Sequence, residues 1–109
     1  MKISFLYKNR IFKIDVKPCN KIQRFFGLMF RRREKAKALL FDFGKPVNIR
    51  IHSFFVFFTF VAIWLDEKNN VLKIEKIRPY SFPIGTKKPF NKLIEIPVNK
   101  KYSKILVFF

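Results

Sequence analysis

The chain has 109 residues, of which 50% are hydrophobic, so it is long enough for a single domain, residues 1–109, with its own core. It carries 24 Lys and Arg against 7 Asp and Glu, which gives a formal net charge of +17 and excludes neutralisation of the surface by ion pairs. Such a charge favours contact with a polyanion such as nucleic acid. Codon bias in an A/T-rich genome is the alternative origin of the charge, because Lys, Ile, Phe and Asn are all common here.

Composition also limits which disulfides, metal sites and membrane spans the sequence predicts. The single cysteine, Cys19, excludes an internal disulfide, and with only one histidine, His52, we expect neither a metal site nor a cofactor. The chain fits a reducing compartment, so a cytoplasmic location is expected. The opening residues lack the apolar segment of a signal peptide. The apolar run of residues 54–65 is shorter than the roughly 20 residues of a spanning helix, so no membrane span is predicted. The oligomeric state stays open.

The N-terminal segment KISFLYKNRIFKIDV alternates apolar and polar residues on both sides of a short polar break. This period of two predicts a hairpin with strands over residues 2–7 and 11–16. After Pro18 the period changes, and NKIQRFFG predicts a short helix from about Lys21 with Asn20 as its N-cap.

The middle of the chain predicts a basic loop followed by strands. The loop is FRRREKAK, residues 30–37, and the strands are ALLFDF and VNIRIH, which a turn at GKP separates. The stretch IHSFFVFFTFVAIWLD, residues 51–66, predicts a long central strand covered on both faces. Its phenylalanines are expected in the core, with a hydrophobic ligand pocket as the alternative.

The last third predicts a turn at DEKNN, a strand at VLKIEKI and a loop over RPYSFPIGTKKPFN. A strand at KLIEI, a turn at NKKYSK and a final strand at KILVFF follow. The total of six or seven strands and one short helix predicts an α+β, mostly β fold. In this fold, a strongly bent antiparallel sheet or small open barrel packs against the helix.

Four blocks of the chain resemble one family. RFFGLMFR is similar to the R-x-x-G-L-M-x-R signature of the domain-of-unknown-function 192 family, also called uncharacterised protein family 0127. LLFDF resembles its M-L-F-x-F strand, and IHSFFVFFTFVAIWLD resembles its archaeal I-H-M-F-F-V-x-F-P-I-D-V-x-F-L-D block. KIEKIRPY and KLIEIP resemble its closing strands. The resemblance extends from the first hairpin to about Pro97. It implies a fold rather than an activity, because the family has no agreed biochemical function.

Two departures from the family pattern limit what the resemblance implies. Thr59, Phe60 and Val61 stand where the family has Pro-Ile-Asp, so Val61 replaces a carboxylate. The family's Gly-rich turn and Gly-Asp pair are replaced by VNKKYSKILVFF. No role that rests on this carboxylate is expected here.

The candidate ligand-binding residues are Arg31, from the family signature, and Arg50 and His52, from the polar face of one predicted strand. His52 is the one side chain with an ordinary pKa near neutrality, although a partly exposed sheet histidine is the competing interpretation. An alternative, nucleic-acid-binding set combines the cations Arg31, Arg32, Arg33, Lys35 and Lys37. A solvated loop is the competing interpretation of this cluster.

Residue types give little support for catalysis. Ser53 adjoins His52 and therefore points to the opposite face of a strand. Glu75 and Glu95 lie on strands where they could meet, but Lys–Glu surface pairs are the favoured outcome. No phosphate-binding Gly-rich loop is present. The sequence therefore favours a noncatalytic ligand-binding or structural domain. Nucleic-acid binding is one alternative, and a divergent enzyme that uses His52 is another.

Overall fold

A computed structural model of the protein describes residues 1–19, 28, 31–51, 53, 56–81 and 83–109. In this part of the chain the strands are β1 (Lys2–Tyr7), β2 (Arg10–Asp15), β3 (Lys17–Pro18), β4 (Leu39–Val47), β5 (Phe60–Leu65), β6 (Val71–Ile77) and β7 (Phe90–Pro97). β1 and β2 form one sheet, and the other five strands form a second sheet in the order β3-β4-β7-β5-β6. Every pairing is antiparallel except that of β3 with β4. The predicted mostly β fold with a bent antiparallel sheet is confirmed, and the sheet stays open because β3 and β6 are edge strands.

The predicted N-terminal hairpin is confirmed. Its turn residues Lys8 and Asn9 both have positive φ, 50° and 62°, as the tight two-residue turn between antiparallel strands requires. The strands pair from Tyr7 with Arg10 to Lys2 with Asp15. This register places Ile3, Phe5, Phe12 and Ile14 on the face that packs against the five-stranded sheet, whereas Leu6 and Ile11 are exposed.

One face of the five-stranded sheet packs against this hairpin, and we call it the hairpin face. Its buried residues include Leu40, Val61, Ile63, Ile94 and Ile96. The hairpin contributes Ile3, Phe5, Phe12 and Ile14, and these side chains pack with the sheet residues into a continuous core. Val61, the residue at the position of the family carboxylate, is therefore part of an apolar core.

The chain after β7 also covers the hairpin face, and here the predicted strand KILVFF is wrong. Lys100–Tyr102 form a 3₁₀ turn and Ser103–Leu106 form a helical turn. Residues 102, 105, 106 and 109 belong to the hairpin-face core or pack against it, with the i, i+3, i+4, i+7 spacing of an amphipathic helix. The apolar period of this segment is therefore helical, and it overrides the strand preference of its Val and Phe residues.

The opposite face, which we call the loop face, lies under the connections between strands. It buries Leu39, Phe41, Phe60, Ala62, Trp64 and Leu93. The connections contribute Leu28, Ala36, Val56 and Phe58 to the same cluster. All six residues of β5 are buried, because alternate side chains point to the two faces.

Two predicted strands in the middle of the chain are corrected. The long strand predicted before Asp66 begins only at Phe60, and β7 rather than β5 is the middle strand of the sheet. The strand predicted at VNIRIH is wrong, because β4 continues through GKP to Val47 across an irregular register. Ile51 then makes only an isolated bridge with Ile84.

The turn at DEKNN is confirmed, since the Asp66 carboxylate accepts hydrogen bonds from the backbone N–H groups of Lys68 and Asn70, both at 2.9 Å. The strands at VLKIEKI and KLIEI are confirmed as β6 and part of β7. The helix predicted from Lys21 lies outside the described residues. Among the described residues, no helix has the length and apolar character needed to cross a membrane.

Candidate functional site

The basic loop at residues 31–38 is anchored to the segment after β7. The side chain of Asn99, which is buried, donates hydrogen bonds to the carbonyl oxygens of Arg33 at 2.7 Å and Ala36 at 3.1 Å. The backbone N–H of Lys100 donates to Glu34 Oε2 at 3.2 Å. These long-range hydrogen bonds hold the loop backbone in one position. Its exposed cationic side chains therefore extend from a fixed backbone.

Part of this loop forms a cavity of about 240 Å³, which we call the Arg31 cavity. Its lining residues are Lys17, Leu28, Arg31, Lys35, Lys37 and Leu39. Four of these six are cationic, none is acidic, and the two leucines belong to the loop-face core. A small cavity with this charge is suited to an anionic group.

The structure does not gather the whole predicted cationic cluster at this cavity. Arg33 forms an ion pair with Glu34, with Nε 3.3 Å from Oε1, and contributes to a separate, shallow cavity beside Asn99. Arg32 is exposed and lines neither cavity. Arg31, Lys35 and Lys37 are therefore the members of the cluster that converge.

Arg50, the other predicted site residue in the described part of the chain, lines a different cavity of about 810 Å³, the Arg50 cavity. Its lining also includes the cations Lys73, Lys87 and Lys88. Arg31 and Arg50 therefore do not share a cavity. His52 lies outside the described residues, so its role as a candidate ligand-binding residue stays a prediction.

The sequence reasoning missed the most unusual ionisable group, Glu95. Its neighbours in the strand register are Leu39 on β4 and Ala62 on β5, both in the loop-face core, and it is only 7% exposed. Burial raises the pKa of the Glu95 carboxyl to about 8. The carboxyl is therefore largely protonated at neutral pH, and the expected surface Lys–Glu pair is wrong for this residue.

Glu75 behaves differently on the same face. It is also a register partner of Ala62, so Ala62 separates the two glutamates. Its Oε1 lies 3.5 Å from Lys73 Nζ in a half-exposed ion pair, as expected for a Lys–Glu surface pair. The sequence did contain a signal for the difference, because Glu95 lies between Ile94 and Ile96 whereas Glu75 is followed by Lys76 and has Lys73 two residues before it.

The loop face holds a second buried polar group. The indole Nε1 of Trp64 is buried and has no hydrogen-bond partner among the described residues, and Trp64 is fully enclosed. Trp64 is two residues from Ala62 on β5 and pairs with Leu93 on β7, which places it diagonally next to Glu95. The loop face thus buries the Glu95 carboxyl and the Trp64 indole N–H, whereas Tyr102 is the polar residue of the hairpin-face core among the described residues.

The fold and these cavities define a small, mostly β domain that has an open sheet and several cavities lined by cationic residues. The chain belongs to the DUF192 family, described as uncharacterized ACR, whose model matches residues 8–102. A UPF0127 protein of Pyrococcus abyssi is 33% identical over 89 residues, which cover 81% of this chain and 75% of that protein. A UPF0127 protein of Pyrococcus furiosus is 26% identical over 91 residues, 83% of this chain and 78% of that protein. The predicted family and its archaeal character are confirmed.

Two crystal structures have a similar fold. A protein of Sinorhizobium meliloti 1021, described as a proposed transcription regulator, superimposes with a TM-score of 0.77 at 19% identity, over 95% of this chain and 83% of that one. A protein of unknown function from Novosphingobium aromaticivorans superimposes with a TM-score of 0.74 at 15% identity, over 95% and 76% of the two chains. At these identities the likeness establishes the fold alone.

Proposed function

We propose that the protein is a noncatalytic domain that binds an anionic ligand in the Arg31 cavity. One observation carries this proposal: Lys17, Arg31, Lys35 and Lys37 line a single cavity, and none of its described lining residues is acidic. Leu28 and Leu39, which also line the cavity, are buried, and an apolar lining strengthens charge–charge attraction.

The residue types also favour a phosphate or carboxylate group. The planar guanidinium of Arg31 can donate two parallel hydrogen bonds to such a group, while lysine side chains supply mobile positive charge. The hydrogen bonds from Asn99 and Lys100 keep the loop backbone in place, so less conformational entropy is lost when a ligand binds.

Calorimetric titration with inorganic pyrophosphate tests the proposal. We expect wild-type binding to weaken about tenfold or more in Arg31→Glu, because the variant replaces an attractive charge with a repulsive one. Lys13→Glu is the matched control, since Lys13 is an exposed cation on the hairpin strand β2. Equal losses in both variants, or unchanged binding in Arg31→Glu, would contradict a specific site.

The noncatalytic part of the proposal has its own test. Hydrolase and transferase substrates are incubated with the protein and with His52→Ala, and no turnover above background is expected from either. Turnover that disappears in His52→Ala would replace this proposal with the divergent enzyme. Turnover that survives in His52→Ala would also remove the noncatalytic proposal while excluding His52 as the essential group.

Nucleic-acid binding through Arg31, Arg32, Arg33, Lys35 and Lys37 is the second candidate. All five residues are exposed, so phosphates on a polymer can reach them. The measurement is affinity for a random-sequence duplex and single strand as a function of salt. If the cluster binds phosphates, neutralising Arg31 to Arg33 lowers the magnitude of the salt slope; an unchanged slope or no binding at low salt would remove this candidate.

A further inference from the structure

Ile51, in the connection before β5, and Ile84, in the loop before β7, form an isolated antiparallel bridge, and we call the described residues on either side of it the ribbon. The backbone N–H of Ile51 donates to the Ile84 carbonyl at 2.8 Å, and the N–H of Ile84 donates back to Ile51 at 2.7 Å. This ribbon carries features that the Arg31 cavity does not explain, because cations surround one end and exposed aromatic rings lie at the other.

The aromatic end is organised by the buried residue Ser53. Its Oγ donates to the carbonyl of Arg78 at 2.7 Å and accepts from the N–H of Ser81. Its carbonyl accepts from the N–H groups of Tyr80 at 3.0 Å and Val56 at 3.2 Å. One fully buried serine thus ties the turn that contains Tyr80 to the loop that contains Phe57.

This arrangement presents two large rings to solvent. Phe57 is 56% exposed and Tyr80 is 55% exposed, and their ring centroids are 6.3 Å apart. Tyr80 has φ of +57°, a left-handed conformation that costs a residue with a side chain about 1 kcal/mol. The surrounding hydrogen bonds hold this costly conformation, which keeps the Tyr80 ring beside Phe57.

The basic end of the ribbon is the Arg50 cavity. Gly85 allows the two ribbon segments to approach closely, because a Cβ at this position would lie 3.0 Å from Arg50 Cγ. Lys73 Nζ donates to the Gly85 carbonyl at 2.9 Å, so the floor of the cavity is fixed to β6. Lys87, Lys88 and Thr86 complete a cation-rich lining, in which no described residue is acidic, and Glu75 pairs with Lys73 beside it.

The two ends are close enough for one ligand. Arg50 and Ser53 are three residues apart, at most about 10 Å along an extended chain, and Ser53 bonds directly to the turn of Tyr80. Exposed aromatic rings offer surfaces for base stacking, and a nearby basic cavity accepts backbone phosphates. A duplex, whose bases are already stacked and paired, cannot use the rings in this way.

We propose that the ribbon is a binding surface for single-stranded nucleic acid, with bases stacked on Phe57 and Tyr80 and backbone phosphate in the Arg50 cavity. The formal charge of +17 gives the complementarity that such a polyanion requires. The residues involved differ from those of the Arg31 cavity, so this surface stands independently of the anionic ligand proposed there.

The test is fluorescence anisotropy with a labelled ten-nucleotide oligothymidylate, compared with the matching duplex and with inorganic polyphosphate. The wild type should bind the single strand more tightly than either competitor. Tyr80→Ala and Phe57→Ala should each weaken single-strand binding by roughly 5- to 150-fold, the factor that corresponds to about 1–3 kcal/mol per stacked base, and leave polyphosphate binding unchanged. Tyr80→Phe keeps the ring and should restore affinity.

Charge-reversal variants test the Arg50 cavity at the basic end of the ribbon. Lys87→Glu with Lys88→Glu should weaken binding of both oligothymidylate and polyphosphate and reduce the magnitude of the salt slope. Phe108→Ala and Arg10→Glu are matched controls, since Phe108 is 46% exposed and Arg10 lies over its ring on the hairpin side. Circular dichroism and thermal melting restrict the comparison to folded variants.

Several results would overturn the proposal. These are duplex or polyphosphate binding as tight as single-strand binding, unchanged affinity in both aromatic variants, or losses in the controls equal to those in the ribbon variants. The last measurement is binding to vesicles that contain phosphatidylserine. Binding to vesicles that depends on Phe57 and Tyr80, without binding to the oligonucleotide, would assign the surface to a membrane instead.

Discussion

The two faces of the five-stranded sheet are built differently. On the hairpin face, regular elements and the helical turn after β7 cover an apolar core, and Tyr102, the polar residue of that core, uses its hydroxyl to accept a 2.7 Å hydrogen bond from the Ala38 N–H. On the loop face, irregular connections cover Glu95 and the unpartnered indole N–H of Trp64. The Arg31 cavity and the Arg50 cavity are each lined in part by residues of this side.

We propose that this difference separates stability from recognition. The hairpin face is packed mainly by close apolar contacts, which contribute to folding. A face with a buried carboxyl, an unpartnered donor and cationic cavities carries the features that mark functional sites. We therefore expect mutations on the hairpin face to act on folding, and mutations on the loop side to act on pH dependence and binding.

The largest effect is expected from Ile63→Ala on the hairpin face. Ile63 is fully buried in the middle of β5, so the variant loses apolar burial and leaves a cavity, at a cost of about 2–5 kcal/mol in the free energy of unfolding. Chemical denaturation measures this loss. A cost below about 1 kcal/mol would mean that the hairpin does not pack closely on this face.

The next effect is the pH dependence from Glu95. Its pKa is raised from an ordinary 4.5 to about 8, so the unfolded state releases this proton at lower pH than the folded state. The stability that this group contributes is therefore greatest below pH 4.5 and is lost as the pH rises toward 8, by up to roughly 1.4 kcal/mol per pH unit.

Glu95→Gln tests this pH effect, because glutamine resembles the protonated acid in shape and cannot ionise. We expect the free energy of unfolding of the variant to exceed that of the wild type at pH 9, with the difference shrinking toward pH 5. Lys73 and Glu75, which face the same side of the sheet, remain unchanged in this comparison. Parallel pH profiles for both proteins would show that Glu95 is accessible to water or paired.

A smaller loss is expected from Asn99→Ala at the basic loop. The change removes the side-chain donor to Arg33 and Ala36, and the buried Ala36 carbonyl loses a partner at a cost of about 1–3 kcal/mol. Hydrogen exchange of the amides in residues 31–38 should accelerate, and pyrophosphate affinity should fall. Unchanged exchange would indicate that other contacts fix the loop.

The smallest effect is expected from Glu75→Gln. The ion pair with Lys73 is half exposed and 3.5 Å long, so its loss should change stability by less than about 1 kcal/mol and leave the pH profile of unfolding almost parallel to that of the wild type. Denaturation at several pH values gives the comparison. A change in the pH profile as large as that of Glu95→Gln would contradict the assignment of Glu75 to the surface and of Glu95 to the core.

Local periodicity predicted much of the fold. The hairpin, β6, β7 and the turn at Asp66 follow from alternation and turn residues that the sequence displays directly. The prediction of a final strand was wrong. Val and Phe favour strands, whereas the spacing of Tyr102, Ile105 and Leu106 is helical. The bridge of Ile51 with Ile84 was not predicted, since it depends on two distant loops meeting.

The candidate site was less predictable. Arg31, Lys35 and Lys37 were selected from their density in the sequence, but the addition of Lys17 requires the β3–β4 pairing. Glu95 became exceptional only because Leu39 and Ala62, residues distant in the chain, flank it in the sheet. Burial by sequence-distant neighbours is a property of the tertiary structure and leaves a weak local signal.

A ¹H–¹⁵N correlation spectrum recorded during titration with inorganic pyrophosphate tests the central claim that recognition belongs to the loop side. The hairpin provides an internal control, because its tip also has a cavity lined by Lys8 and Arg10. We predict that saturable amide shifts concentrate at Lys17 and residues 31–38, with little change at residues 2–15. Shifts that are largest at the hairpin, or that spread evenly over the basic surface, would contradict the assignment of recognition to the loop side.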